Sequence, residues 1–148
     1  MPRFAAFGVV ASILLITTAG CGPTVKSLTS QMSNLPSVPE STRIRDGGHE
    51  AENTIDGPVP AVAWRWYSVD KKPDEVVAFF DRELTAQGWS SGGGSSGIPT
   101  TDEVDARAWH KVAFVVRLGI FRFPRPLGVN DTDANLTYYE VALIAEKV

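Results

Sequence analysis

The chain has 148 residues, of which 43% are hydrophobic, and its formal net charge at pH 7 is −3. This length fits one domain, and the hydrophobic content excludes an intrinsically disordered protein. The acidic balance argues against a nucleic-acid-binding surface, which requires clustered Lys and Arg side chains. The single cysteine, Cys21, cannot form an internal disulfide, so the core must stabilise the fold.

The N-terminal residues have the pattern of a secretory signal peptide. Arg3 and the N-terminal amine supply positive charge, and an apolar segment extends from Phe4 to Ile16. Gly20 and Gly22 end the uncharged stretch before it reaches the length of a bilayer-spanning helix. The only cysteine of the chain therefore stands where a signal peptide should end.

Thr18, Ala19, Gly20 and Cys21 resemble the lipobox of bacterial lipoproteins, in which the cysteine is invariant. The resemblance implies diacylglycerol addition to the Cys21 thiol, removal of residues 1–20, acylation of the new amine, and attachment to a membrane on the extracytoplasmic side of the bacterial envelope. Thr18 departs from the pattern, since the family usually has an aliphatic residue there. Two alternatives stay open: an ordinary signal-peptidase site that releases a soluble secreted protein, and an uncleaved membrane anchor.

Residues 21–60 predict a lipidated N-terminus followed by a flexible tether. The segment contains five prolines and few large apolar side chains, and no helical or alternating period persists in it. A coil of this length spans roughly 30–40 Å, which would hold a domain clear of the lipid headgroups. Within it, only Arg43–Arg45 indicates a short strand.

The next two segments predict a strand and a helix. Ala61 to Val69 alternates in polarity, with Trp64 and Trp66 on the expected core side. Residues 72–88 predict an amphipathic helix, because Pro73 suits its first turn and Gly88 can end it. Its apolar stripe consists of Val76, Val77, Phe80 and Leu84.

Two later apolar segments complete the predicted domain. Residues 107–121 predict one or two strands, with Arg117 opposite an apolar face that runs from Val112 to Ile120. Residues 136–148 predict a closing strand. Residues 61–148 are therefore expected to form a two-layer α+β domain, with one amphipathic helix packed on an antiparallel sheet in the order β-α-β-β-β.

The helix and its exit, EVVAFFDRELTAQGW from Glu75 to Trp89, resemble a pattern found in small bacterial envelope lipoproteins. In that pattern an aromatic pair is followed by Leu and then by Gly-Trp, which opens the next strand. The resemblance implies a fold and a location, and it supplies no catalytic residue.

Asp131, Asp133 and Asn135 are the best metal candidates, because alternating oxygen ligands match the start of a calcium loop. The match then fails, since Leu136 stands where such a loop needs glycine. A turn built on Asp and Asn side chains is the favoured interpretation, and no cofactor is expected. The two histidines, His49 and His110, are far apart in sequence and belong to no catalytic motif.

Five side chains are expected to share the sheet face opposite the helix: Arg65, Tyr67, Arg117, Tyr138 and Glu140. Arg and Tyr are typical of contact sites, although a solvated face with cross-strand Arg–Glu pairs is the plainer interpretation. The sequence thus predicts a membrane-anchored envelope lipoprotein of unknown molecular activity, a non-enzymatic binding or accessory module for an envelope protein or cell-wall partner. The alternative is a small envelope hydrolase, assisted by a metal at Asp131 and Asp133 or by His110. The oligomeric state stays open.

Overall fold

The computed structural model describes residues 22–92, 102–122 and 133–146, which form two α-helices, one 3-10 turn and eight strands. The helices are α1 (Val25–Gln31) and α2 (Pro73–Ala86), and the 3-10 turn is Met32–Asn34. The strands are β1 (Thr42–His49), β2 (Glu52–Thr54), β3 (Gly57–Val59), β4 (Val62–Val69), β5 (Ser90–Ser91), β6 (Glu103–Lys111), β7 (Phe114–Phe121) and β8 (Thr137–Ala145).

Six of these strands form one antiparallel sheet in the order β1-β4-β8-β7-β6-β5, and β2 pairs with β3 in a separate hairpin. The predicted α+β class with an antiparallel sheet is confirmed. The predicted order β-α-β-β-β omits four strands, because β1, β2 and β3 precede residue 61 and β5 follows α2. Three of the four have only two or three residues, too few to show an alternating pattern.

The segment before residue 61 is folded against the sheet, which corrects the expectation of a flexible tether. Thr24 begins α1, and its hydroxyl accepts a 3.2 Å hydrogen bond from the backbone amide three residues later. Leu28, Met32 and Val38 are buried in the main core. Leu28 and Met32 have the i, i+4 spacing of a helix, but two residues are too few to establish a period, and Val38 lies beyond the helix. Together the three side chains fasten the segment to the domain. The strand expected at Arg43–Arg45 is present as part of β1.

Helix α2 has nearly the boundaries that the sequence predicts. Pro73 occupies its first turn, and the Glu75 carboxylate accepts a 2.9 Å hydrogen bond from the Lys72 amide. After the last turn Gly88 adopts a φ of +82°, a left-handed conformation that glycine takes without steric cost. The buried stripe of the helix is Val76, Phe80 and Leu84.

The main core lies between the helices and one face of the sheet. Phe80 packs between Trp109 and Tyr139, whose ring centroids are 6.4 and 5.7 Å from its own. The Trp109 indole donates a 3.1 Å hydrogen bond to the Asp81 carboxylate, which satisfies the one polar group of a fully buried ring. The predicted arrangement of a helix on a sheet is present, and α1 is a second helix on the same side.

Strands β6 and β7 divide the predicted segment 107–121 at a tight turn through Val112 and Ala113. The side chains of Val116, Leu118 and Ile120 face the main core as predicted. Val112 does not, because it lies at the tip of the turn, with a φ of +55° and an exposed side chain. The predicted apolar face therefore begins in the turn, because Val112 belongs to neither strand, and its remaining residues lie in β7.

Candidate functional site

The structure divides the five side chains of the predicted interaction face between the two sides of the sheet. Those of Arg65 and Tyr67 lie on the helix side, and those of Arg117, Tyr138 and Glu140 lie on the opposite side, here called the second face. The prediction is wrong for β4, whose Trp64 and Trp66 side chains belong to the second face. Both sides of β4 are apolar, so alternation does not tell which side meets the helices. The helix side carries Ala61 and Ala63, where a bulky indole would push α1 away.

Arg65 fastens α1 to the sheet. Its Nη1 and Nη2 atoms donate hydrogen bonds to the carbonyl oxygens of Met32 and Thr29, at 3.2 and 3.4 Å. These carbonyls lie at the end of α1, where helix carbonyls lack partners within the helix and a positive charge is favoured. The guanidinium is thus engaged by its own chain, and its role is structural.

Tyr67 belongs to the main core as well. Its ring stacks on that of Tyr139, with centroids 5.0 Å apart and planes inclined by 15°. The Val38 amide donates a hydrogen bond to the Tyr139 hydroxyl at 3.3 Å. Burial raises the pKa of Tyr139 to about 12, so this hydroxyl stays protonated at neutral pH.

The second face holds a buried ion cluster of Arg117, Glu103 and Glu140. The Arg117 Nη2 atom donates a hydrogen bond to Glu103, and its Nη1 atom lies 3.9 Å from the Glu140 Oε1 atom. The cross-strand pairing of Arg and Glu that the sequence indicates is present, but it is buried instead of solvated, with Arg117 only 8% exposed. Burial raises the pKa of the Glu140 carboxyl, and the Arg117 charge opposes that rise.

Gly119 makes room for the ion cluster. A Cβ atom at this position would lie 2.7 Å from the Glu103 Oε1 atom and 3.0 Å from the Arg117 Nη1 atom. The first of these distances is shorter than any real van der Waals contact of a Cβ atom, and the second is at the limit. The ion cluster therefore depends on a residue without a side chain beside it.

Aromatic rings pack around the same face. Trp66 and Phe121 have centroids 4.5 Å apart, and they form a small second core with Tyr138. The Tyr138 hydroxyl accepts a 3.0 Å hydrogen bond from the Asp133 amide. Because all three rings are buried, they stabilise the fold and do not present the contact surface that the sequence predicted.

The predicted metal ligands are only partly within the described residues. Asp131 lies outside them, and Asp133 and Asn135 bond to each other, since the Asp133 Oδ1 atom accepts hydrogen bonds of 2.9 Å from the backbone and side-chain amides of Asn135. This is the Asp–Asn turn that the sequence favoured. Within residues 22–92, 102–122 and 133–146, no group of three or more His, Cys, Asp or Glu side chains could hold a metal ion.

His110 and His49 are separate in the fold as they are in the sequence. The His110 Nδ1 atom lies 3.3 Å from the Glu146 Oε1 atom, at the end of the sheet where β6 ends. The His49 Nδ1 atom lies 3.3 Å from the carbonyl oxygen of Glu50, at the end of β1. No serine or other nucleophile is hydrogen-bonded to either ring among the described residues.

A cleft that the sequence did not predict lies at this end of the sheet, beneath the hairpin of β2 and β3. This hairpin, Glu52–Val59, is here called the arm, and the cleft of about 740 Å³ is called the arm cleft. Its walls are largely apolar, and its polar side chains are His49 and Glu146. The apolar walls are formed by Pro58, Val59, Pro60, Val62, Val115, Ile144 and Ala145. Such a volume with few polar groups is typical of a ligand site.

A second cleft, of about 610 Å³, adjoins the first and shares the arm as a wall. It is lined also by Gly22 and Pro23, the first described residues, and by Ala113 in the turn between β6 and β7. It is here called the N-terminal cleft. The prolines of the arm are typical of a loop, so the sequence predicts neither cleft. The one available signal for the arm was a pair of short segments on either side of a turn that contains glycine.

Comparison with known proteins gives no assignment: no protein-family model, no curated protein and no solved structure matches the chain. Of the helices in the described ranges, none is long and apolar enough to cross a membrane. The predicted signal peptide and the lipidation residue Cys21 lie outside the described residues. We take the arm cleft as the candidate site, because it has the larger volume of these two clefts and contains the side chains of both His49 and Glu146.

Proposed function

We propose that this protein is a lipid-anchored protein of the bacterial envelope whose folded domain is a binding module, with the arm cleft as its binding site. The observation that carries the proposal is the cleft itself, which joins apolar walls from four strands (β3, β4, β7 and β8) to two polar side chains, His49 and Glu146. A binding function needs only such a shaped and mostly apolar surface.

The proposed anchor is supported by the sequence before the domain. Phe4–Ile16 has the length and apolarity of a signal-peptide core, and Cys21 follows small residues as in a lipobox. The rest of the chain has no second cysteine with which Cys21 could pair. In mature form the protein would begin at Cys21 and attach to the membrane through two or three acyl chains, which together hold firmly where one chain holds only marginally.

The chemistry of the arm cleft favours one class of partner. A cell-wall polymer presents hydroxyl groups, which would lose water against Val62, Val115 and Ile144 without gaining hydrogen bonds. An apolar segment of an envelope protein would bury its side chains there and could still bond to His49 or Glu146. We therefore propose an envelope protein as the partner.

The anchor is tested by feeding cells an alkyne-tagged palmitate and recovering the mature protein. We expect label on the wild-type chain and none on Cys21→Ser, which should also leave the membrane fraction. Thr18→Leu, which restores the usual lipobox residue, is the matched control and should be labelled as the wild type is. Label that survives Cys21→Ser, or a free thiol at Cys21 in the mature protein, would contradict the anchor.

The binding site is tested by placing a photoreactive residue at Val59, on the arm, and at Arg82, on the exposed side of α2. We expect a discrete crosslinked envelope protein from Val59 alone, and we expect it to disappear when Val62→Trp fills the cleft. The same adducts at both positions, or an adduct that survives Val62→Trp, would place binding elsewhere.

A further inference from the structure

The end of the sheet that carries both clefts is also the end at which the chain enters the domain. Gly22 and Pro23 line the N-terminal cleft together with Ala113 and the base of the arm. The Val25 amide, at the start of α1, donates a 3.0 Å hydrogen bond to the Glu50 carboxylate just beyond β1. The N-terminus, the arm and the turn between β6 and β7 therefore meet at one end of the molecule.

Folding of α1 onto the sheet leaves little free chain before this end. Only Gly22, Pro23 and Thr24 separate Cys21 from α1. A fully extended chain advances by at most about 3.6 Å per residue, so an anchor at Cys21 can stand no more than about 14 Å from the start of α1. This orientation rests on the proposed lipid anchor: with Cys21 acylated, the cleft end of the sheet must lie close to the bilayer surface.

Two aliphatic side chains project from turns at this end. Ile55, at the tip of the arm, is 105% exposed, and Val112, at the tip of the turn between β6 and β7, is 96% exposed. A single exposed aliphatic residue is ordinary on a protein surface. Two fully exposed ones at the tips of separate turns, at the end where the anchor enters, form a pattern that solvent alone does not explain.

The backbone at Val112 is a second, independent observation. Its φ of +55° is left-handed, a conformation that glycine, Asn or Asp adopts readily and that a β-branched residue resists. In water, Asn or Asp would be more favourable at this position, because each tolerates a positive φ and each has a side chain that solvent hydrates. Removal of the Val112 side chain from water would offset part of this cost.

We infer that Ile55 and Val112 are a membrane-contacting pair, whose side chains enter the headgroup layer of the bilayer that holds the acyl chains of Cys21. The contact is shallow, because Asp56 follows one tip and Lys111 precedes the other, and charged side chains stay at the level of the lipid headgroups. Acidic residues, Glu50 and Glu52 among them, also lie at this end, so attraction to anionic lipid does not drive the contact.

The test uses the full lipidated chain, in which acylation of Cys21 leaves an introduced cysteine as the only free thiol. Ile55→Cys, Val112→Cys and Val104→Cys are each labelled with a polarity-sensitive dye and reconstituted into phosphatidylcholine vesicles that contain nitroxide-labelled lipid. Val104 is the matched control, because it is an aliphatic residue, 48% exposed, at the opposite end of β6. We expect nitroxide quenching at Ile55 and Val112 to exceed that at Val104 by at least about twofold. Unchanged far-UV circular dichroism verifies the fold of each variant.

Equal and weak quenching at all three positions, in protein that floats with the vesicles, would overturn the membrane-contacting pair and leave the anchor standing. A dye at Ile55 or Val112 that reports an apolar environment without nitroxide quenching would show that a protein, such as a second copy of the chain, covers the tips. If no variant floats with the vesicles, the proposed anchor itself fails, and the inference fails with it.

Discussion

Glu140 shares the single guanidinium of Arg117 with Glu103, so that two carboxylates face one positive charge on the second face of the sheet. A buried ion cluster of this kind loses hydration energy that its internal attraction only partly returns. Protonation of Glu140 would balance the charge, which agrees with the upward direction of its pKa. The cluster therefore makes the stability of the protein depend on pH.

We expect Glu140→Gln to remove the contribution of Glu140 to the pH dependence of stability. A folded-state pKa above the ordinary value of 4.5 means that the folded protein binds the proton more tightly than the unfolded chain does. The resulting contribution to the free energy of unfolding is present below pH 4.5 and is lost as the pH rises through the raised pKa. The stability of Glu140→Gln relative to wild type should therefore increase between pH 4.5 and neutral pH, as urea unfolding can measure.

The control for this prediction is Glu83→Gln, which removes a carboxylate from an exposed pair with Arg82. Because this pair is exposed to solvent, its removal should change the free energy of unfolding by far less than the removal of the buried Glu140 charge does. A relative stability of Glu140→Gln that stays constant, or that falls as the pH rises, would show that the Glu140 charge is well stabilised in the folded state.

Val112 offers a prediction about stability alone. Replacing it with Asn should raise the free energy of unfolding, on the order of 1 kcal/mol, because Asn tolerates the left-handed backbone better. Val104→Asn, an exposed valine in strand β6, should instead lower it, because β-branched residues are favoured in strands. Thermal or urea unfolding of both variants checks the pair, and a loss of stability in Val112→Asn would show that its valine already makes a stabilising contact within the chain.

At the scale of elements, the sequence predicted those whose information is local. Helix α2 carries its own start, stop and apolar stripe, and β8 alternates over nine residues, so both were predicted. Helix α1 was not, because its seven residues contain one fully buried side chain, Leu28, and its stability comes from contact with the sheet. The arm was missed for the same reason, since three-residue strands exist only through their pairing.

Leu28→Ala tests whether α1 is part of the domain. Truncating this fully buried side chain leaves a cavity beneath the helix, and we expect the free energy of unfolding to fall by about 2–5 kcal/mol. Ser30→Ala, an exposed position in the same helix, is the control and should change it little. Urea unfolding of the two variants measures the difference. An unchanged stability in Leu28→Ala would mean that the segment is a tether after all.

The candidate site shows the corresponding limit of sequence reasoning. Register and face assignment correctly grouped Arg117, Tyr138 and Glu140, because β7 and β8 each have one strongly apolar side. Arg65 and Tyr67 were placed on the wrong side, since β4 is apolar on both. The arm cleft is formed between segments that are distant in the chain, and its shape depends on tertiary contacts that no local pattern encodes.

At the scale of the whole molecule, the short connection between Cys21 and α1 would set the orientation of the domain relative to the proposed lipid anchor. A tether of the predicted length would have let the domain turn freely, whereas the folded α1 holds the cleft end toward the proposed anchor. The arm cleft would then open beside the membrane. Its partner would be a protein that is itself embedded in the membrane or held against it.

Inserting a flexible Gly/Ser linker of about 20 residues, with a mean span of about 25 Å, between Pro23 and Thr24 tests this orientation. Vesicle flotation should be retained, because the acyl chains are unchanged. Crosslinking from Val59 to its envelope partner should weaken severalfold, because the cleft no longer stays near the membrane. A rigid helical insert of similar length is the control and should give the same loss. Undiminished crosslinking in both would show that proximity to the bilayer is not required for binding.

The two edge strands of the sheet affect how readily molecules of this protein would aggregate at high local concentration on a membrane. Lipid-anchored molecules diffuse in two dimensions at high local concentration. An unprotected edge strand would let neighbouring molecules pair edge to edge and form fibres. One border, β5, is only two residues long, and the other, β1, contains three charged side chains and two glycines, namely Arg43, Arg45, Asp46, Gly47 and Gly48. A short edge strand and charged side chains on an edge strand are both established ways to discourage such polymerisation. With the proposed lipid anchor, this architecture would suit dense display on a membrane without self-aggregation.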